Sequence, residues 1–326
     1  MTTWGIVATV KASSDDALNF VAHHLELGTD EVNIYLDEPN EVVTATLQNH
    51  PKVNLIQCDN AYWKMRRPKE ENQRPPMHQG RQFANTKWAY MHSSVDWLAN
   101  IDVDEFLWPT RDIRSQLSDL SVECLCARIR PIEALAGGTD GITHFKACAE
   151  NWMQRLDETP KIYPEFGLYL NGGYLSHVAG KLFVRTGLKD IRFKIHNLES
   201  PSGNNPGEVI LTETELLHMH SKSWDDWLAT YQYRKSKGSY RKELAAPTQP
   251  PGVMNQEFDV PNLNQLFTVL EEDGGTEGLR AFFKEVCQVT PELLQSLNRF
   301  GHLRSYKTEF DAARRRQFDK GFVAKK

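Results

Sequence analysis

Between Trp97 and Trp108 the chain reads WLANIDVDEFLW, so that Asp102, Asp104 and Glu105 interrupt an otherwise apolar run. Side chains of a strand alternate between its faces, and a strand carried through this run sets Asp102 and Asp104 on one side. Two like-charged carboxylates brought that close repel unless a cation or a proton lies between them. Carboxylate oxygens suit hard divalent ions. Mg²⁺ or Mn²⁺ binds through one or two protein carboxylates and completes its shell with waters and substrate phosphates. A solvated acidic turn is the plain alternative, but Ile101, Val103, Phe106, Leu107 and Trp108 are too apolar for a free turn. An EF-hand loop is excluded, because Phe106 and Leu107 stand where it needs glycine. A phosphatase that uses the first aspartate as nucleophile fits poorly, since Phe106 closes the motif.

These acids need a frame. Trp4 to Val10 reads as a buried strand, followed by Ser13 and Ser14 as helix caps and an apolar periodicity that stops at Gly28. A second strand is expected over 31–36, a helix over 41–48, a third strand over 53–57, a helix over 81–94 and a fourth strand over 97–101. This alternation implies a largely parallel sheet wrapped by helices, with ligands beyond the carboxyl ends of the strands. Asp37 and Asp102 both fall at such ends. Residues 59–80 read as a loop over the site, 122–129 as another strand, and 160–196 as antiparallel strands with glycine turns. A helix starts near Ser223, and Pro247, Pro250 and Pro251 mark a break before a mainly helical tail.

At 326 residues and 40% apolar, the chain can bury a substantial core. It contains no run approaching the roughly 18 apolar residues of a membrane span, and its start lacks the pattern of a secretory signal, so a reducing cytoplasm is expected. The five cysteines, Cys58, Cys124, Cys126, Cys148 and Cys287, are odd in number and scattered, which speaks for free buried thiols rather than disulfides or zinc. A net charge of -5 gives no reason to expect nucleic-acid binding. From Arg299 onward basic residues prevail, including Arg314-Arg315-Arg316 and Lys325-Lys326. A solvated helix face is the favoured explanation; docking on an anionic membrane at the inner face is the minority one.

The segment from Trp97 to Phe106 resembles the W-hydrophobic-x-x-I-D-x-D-E-F hallmark of a bacterial subgroup of family 2 glycosyltransferases with the GT-A fold. The opening ATVKASSDDALNFVAHHLELGTDEVNIYLDEPNE is similar to that family's strand, V-K-N-E, helix ending H-x-x-x-G, strand and acidic turn; Lys11, His24, Gly28 and Asp37 take the matching places. Ala12-Ser13 stands where Asn-Glu is usual, and Glu38-Pro39-Asn40 replaces a D-x-x-S-x-D turn. Residues 216–227, LLHMHSKSWDDW, are similar to the subgroup's H-Y-x-x-K-S-W segment, which sets His218 at the late histidine.

The resemblance implies a GT-A type, Rossmann-like mixed sheet flanked by helices over residues 1–222, with a mainly helical C-terminal extension over 223–326. It implies that Asp102 and Asp104, assisted by His218, hold Mn²⁺ or Mg²⁺, and that the ion holds the diphosphate of a nucleotide-sugar donor. Lys222 would offset phosphate charge, and Thr9, Lys11, Asp37 and Arg81 would lie along the nucleotide. The implied activity is sugar transfer to a glycan or lipid-linked acceptor, in surface polysaccharide synthesis. Gln82, Asn85 and Lys87 share the helix of Arg81, where an exposed polar face is an equal expectation. Inverting transfer needs a general base. Glu150, Asp157, Glu158 and Glu165 are candidates, and Asp157 and Glu158 are preferred. His177, Lys181, His196 and Asn197 are minor binding candidates, and Trp63, Trp152, Trp224 and Trp227 are expected mostly in cores. A nucleotidyltransferase is the nearest enzymatic alternative, although Lys11-Ala-Ser-Ser is a poor glycine-rich basic loop. A noncatalytic nucleotide-sugar or glycan binder is the other.

Overall fold

The computed structural model describes residues 1–70, 73–236 and 263–319. Along the chain come β1 (Trp4–Val10), α1 (Ser14–Glu26), β2 (Glu31–Leu36), α2 (Glu41–Leu47), β3 (Val53–Gln57), α3 (Asn60–Arg66), α4 (His78–His92), β4 (Trp97–Asn100), β5 (Glu105–Pro109), α5 (Ile113–Ser118) and β6 (Cys126–Ala134). There follow β7 (Ile142–Lys146), α6 (Trp152–Ile162), β8 (Lys181–Arg185), the short β9 (Arg192–Phe193), β10 (Leu198–Ser200) and β11 (Gly203–Asn204), and β12 (Val209–His218). The last elements are α7 (Trp224–Ser236), α8 (Leu263–Val286), α9 (Pro291–Arg299), β13 (Leu303–Lys307) and α10 (Phe310–Phe318). The fold is mixed α/β, with strands flanked by helices.

Two compact units share this chain. The first comprises Met1–Arg130, Ala179–Leu216 and the segment from Glu309; the second comprises Pro131–Val178 and Leu217–Thr308. The sequence suggests one boundary at residue 222, whereas the chain passes between the units several times.

In the first unit β4, β1, β2 and β3 are parallel neighbours in that order, and β8 is antiparallel to β4. Every residue of β1 is buried, as a central parallel strand covered on both faces requires. Ser13 caps α1 by accepting from the Asp16 amide at 3.1 Å, and Asp15 and Asp16 complement the dipole of the first turn. The helix stops at Gly28, whose φ of 82° favours a residue without Cβ. Asn40 caps α2 and accepts from Ser14 Oγ at 3.0 Å. Both departures from the family pattern, at Ser13 and at Asn40, therefore have capping roles. In α10, Arg316 forms a two-pronged pair with Glu26 at 2.8 and 2.7 Å, and Arg314 pairs with Asp15. These contacts with α1 account for two of the three consecutive arginines.

In the second unit β13 and the end of β6 are both antiparallel to β7. Trp227, Tyr231, Phe267, Phe282 and Phe283 build its core, with the partly buried Trp224 packed against it. The helix α8 is broken at Gly275, where φ is 53°.

Three expectations change. Residues 59–80 contain a helix, α3, capped by the Asp59 side chain at 2.8 Å from the Tyr62 amide, and α4 begins three residues before Arg81. Residues 160–196 hold the end of α6 and few strands. The strand before the acids ends at Asn100. Pro247, Pro250, Pro251 and the terminal lysines lie outside the described residues. All five cysteines are free. Among the described residues no helix is long and apolar enough to cross a membrane.

Candidate nucleotide site

The parallel strands of the first unit deliver polar residues at their carboxyl ends: Thr9 on β1, Asp37 just after β2, and the acidic turn after β4. Facing them is one side of α4. Residues 78, 81, 82 and 85 recur at three- and four-residue intervals, the spacing that aligns side chains on a helix face. Arg81 Nε lies 2.9 Å from the Asp37 carboxylate. Gln82 Nε2 donates to Asp102 Oδ1. Asn85 Nδ2 donates to Thr9 Oγ1 at 2.9 Å, and Asn85 Oδ1 accepts from the Tyr62 hydroxyl at 2.6 Å. Gln82 is 5% exposed and Asn85 0%, so the exposed polar face expected of α4 is a buried one at these positions. Lys87 is exposed.

Asp37 is 3% exposed and receives a second guanidinium, from Arg74, at 3.0 Å. A buried carboxylate needs such partners, because its desolvation is otherwise uncompensated. Lys11 is exposed and pairs with Glu38 at 2.5 Å. His78 opens α4, which has no side-chain cap among the described residues. Burial lowers the pKa of His78; the Asp102 charge opposes that shift and the Arg81 charge adds to it.

Asp102 and Asp104 are not on a strand, and Glu105 opens β5. Residues 102–105 form a turn in which the Glu105 amide donates to the Asp102 carbonyl at 2.9 Å. Glu105 Oε2 in turn accepts from the Asp102 amide at 2.7 Å. The alternation that would set Asp102 and Asp104 on one strand face therefore does not apply. Glu105 is 5% exposed, while Asp102 and Asp104 are half-buried. Lys181 Nζ reaches Asp102 Oδ2 at 2.7 Å and Glu105 Oε2 at 3.4 Å. Burial alone would depress the Lys181 pKa, but Asp102 and then Glu105 outweigh it and raise the value above that of free lysine. Lys181 is only a minor candidate when read along the chain, because it lies 79 positions from Asp102.

Two histidines anchor the strand that follows the turn. His24 Nδ1 donates to the Phe20 carbonyl at 2.7 Å, and its Nε2 accepts from the Leu107 amide at 3.3 Å. His23 Nε2 donates to the Leu107 carbonyl at 2.7 Å. His24, matched by family resemblance, thus acts here as a structural tie between α1 and β5.

The late histidines, Lys222 and the two preferred base candidates belong to the second unit. His218 and His220 end in a buried pair, with ring centroids 5.0 Å apart. Both raise the positive potential at Glu133, a buried carboxylate that the sequence did not single out. Glu133 accepts from the Ser176 amide at 2.8 Å and pairs with Lys146 at 3.3 Å. Lys222 is exposed, and its amide donates to Asp226 at 3.1 Å. Asp157 is exposed and pairs with Lys161 at 2.6 Å; Glu158 pairs with His302 at 2.7 Å. Each of these two candidate bases therefore already has a side-chain partner, an ion pair for Asp157 and a hydrogen bond for Glu158. Among the described residues no group of three His, Cys, Asp or Glu side chains is gathered for a metal.

No protein-family model matches the chain, and no curated protein matches it. Among solved structures it is similar to HddC from Yersinia pseudotuberculosis, at 11% identity over 72% of this chain and 100% of that one, with a TM-score of 0.35. It is similar to residues 1–349 of TarS from S. aureus, at 12% identity over 72% and 65% of the two chains, with a TM-score of 0.34. A third is CMP:2-keto-3-deoxy-manno-octonic acid synthetase complexed with CTP, at 15% identity over 44% and 62%, with a TM-score of 0.27. Likeness at this level assigns neither a residue nor a reaction.

Proposed function

We propose that the chain is a glycosyltransferase that binds a nucleotide-sugar donor at the carboxyl edge of β1, β2 and β4 and passes the sugar to a glycan or lipid-linked acceptor. The observation that supports it best is the single face of α4 that ties Asp37, Asp102 and Thr9 through Arg81, Gln82 and Asn85. Polar groups beyond the ends of parallel strands are where open α/β sheets bind ligands. Arg74, Arg81 and the uncapped start of α4 suit the negative charge of a diphosphate. Thr9, Asp37 and Lys11 would line the nucleoside. Lys222 and His218 carry a part in diphosphate binding from the family resemblance alone. Surface polysaccharide synthesis as the setting rests on the same resemblance.

The reading of a hard divalent ion at the acidic turn is supported by donor chemistry: carboxylate oxygens suit such an ion, and a carboxylate offers about four acceptor sites, of which Gln82 and Lys181 each take one at Asp102. Asp102 and Asp104 would hold Mn²⁺ or Mg²⁺, with Gln82 orienting the first. When bound, such an ion supplies Lewis-acid stabilisation to the departing diphosphate. A screen of nucleotide sugars with Mn²⁺, read as nucleoside diphosphate release, tests the activity. Turnover of at least one donor that is lost in a folded Asp102→Asn variant is expected. Turnover at the wild-type rate in that variant would refute the assignment. Release of pyrophosphate from a nucleoside triphosphate and a sugar phosphate would point instead to nucleotidyl transfer.

A further inference from the structure

The acidic turn carries a positive charge of its own. Antiparallel pairing sets Phe183 of β8 against Ala99 of β4, and the same register continued by two residues brings Lys181 beside the start of the turn. Its side chain is 1% exposed, and its ammonium touches both Asp102 and Glu105. A buried ammonium persists only where anions compensate its desolvation, and closely spaced carboxylates persist only where a cation offsets their repulsion. The two requirements meet here.

We propose that Lys181 is the resident cation of the acidic turn: it positions Asp102 and Glu105, and it makes divalent-cation binding depend on a nucleoside diphosphate. The inference rests on the assignment of Asp102 and Asp104 as metal ligands. An ammonium 2.7 Å from a ligand oxygen repels any second cation at that oxygen and competes for its lone pairs. A nucleoside diphosphate brings negative charge that offsets this repulsion. The turn consequently stays assembled through Lys181 and accepts a divalent ion together with the nucleotide, rather than before it.

The test is Mn²⁺ binding by the full chain, followed by the electron paramagnetic resonance of free Mn²⁺, alone and with UDP or GDP, each corrected for chelation by the nucleotide. In the wild type, Mn²⁺ affinity is expected to rise at least tenfold when the productive diphosphate is present. In Lys181→Met, Mn²⁺ alone should bind at least tenfold more tightly than in the wild type, and the gain from nucleotide should shrink. Lys181→Arg should restore the wild-type pattern, which a purely space-filling role would not require. Wild-type protein that takes Mn²⁺ equally with and without nucleotide overturns the proposal, whether or not the variants fold. Equal affinity for Mn²⁺ alone in wild type and folded Lys181→Met also overturns it, while leaving Asp102 and Asp104 as ligands. Absence of Mn²⁺ binding under every condition overturns the metal assignment and this inference together.

Discussion

Asn85 has an amide with no access to water, and both of its ends are in use, toward Thr9 and toward Tyr62. Truncation there leaves two buried groups without their partner, at a cost of about 2 kcal/mol. Asn85→Ala should lower the urea midpoint accordingly and weaken nucleotide binding; an unchanged midpoint would show that the Thr9 and Tyr62 bonds contribute nothing. At Asp37, replacement by Ala leaves Arg74 and Arg81 without their carboxylate. Asp37→Ala should reduce nucleotide affinity at least tenfold in calorimetry, and wild-type affinity would remove Asp37 from the site. At this scale the sequence was partly informative. The spacing of Arg81, Gln82 and Asn85 was visible, but a polar helix face looks the same whether it meets water or other polar groups. Lys181 and Glu133 were missed as central groups for a related reason: a buried charge is recognised by its partners, and Asp102 for Lys181 and Ser176 for Glu133 lie far along the chain.

Among elements, the contact between α1 and β5 ties down the strand that follows the acidic turn. His24 is fully buried and its pKa lies well below 6.5, chiefly through burial, with the neighbouring His23 adding to the shift. The pKa of His23 is lowered from 6.5 to about 4, again by burial first, against the raising effects of Leu107 and Glu26. Both rings are neutral in the folded protein at pH 7. Below pH 6.5 the unfolded chain takes up protons that the folded one refuses until about pH 4, so stability is complete above that window and falls as pH drops through it. For His23 the loss is on the order of 3 kcal/mol. Urea midpoints measured between pH 7 and 4 should decline, and His23→Phe should make the decline shallower; an identical slope would mean that His23 is not a source of it. The helix α1, its Ser13 cap and its Gly28 stop were legible because capping and periodicity are local. The turn at 102–105 was not, since alternating apolar residues suggest a continuous strand while the bond from the Asp102 amide to Glu105 breaks it.

For the whole molecule, the division into two units follows contacts that no local pattern encodes. The strand β13 joins the sheet of the second unit while α10 packs on α1 in the first, although the two elements are neighbours in sequence. The units should also respond to acid in different ranges. Burial by itself would raise the Glu133 pKa, but Lys146 above all, with His220 and His218, pulls it from 4.5 to about 2. Stability from Glu133 is therefore present above pH 4.5 and lost as pH falls from 4.5 toward 2. Pulsed hydrogen exchange should show α1 and β5 losing protection at higher pH than the peptides around Glu133; simultaneous loss would contradict separate origins. A mixed α/β fold with a parallel core was legible from the alternation of elements, and it placed the candidate site at the strand ends. The most direct measurement is calorimetry of UDP, GDP and other nucleoside diphosphates with the wild type and Asp102→Asn, each with and without Mn²⁺. At least one diphosphate should bind the wild type in a Mn²⁺-dependent manner and lose that dependence in Asp102→Asn. Binding that ignores both the ion and the substitution, or no binding across the panel, would contradict a metal-dependent nucleotide site at the edge of this sheet.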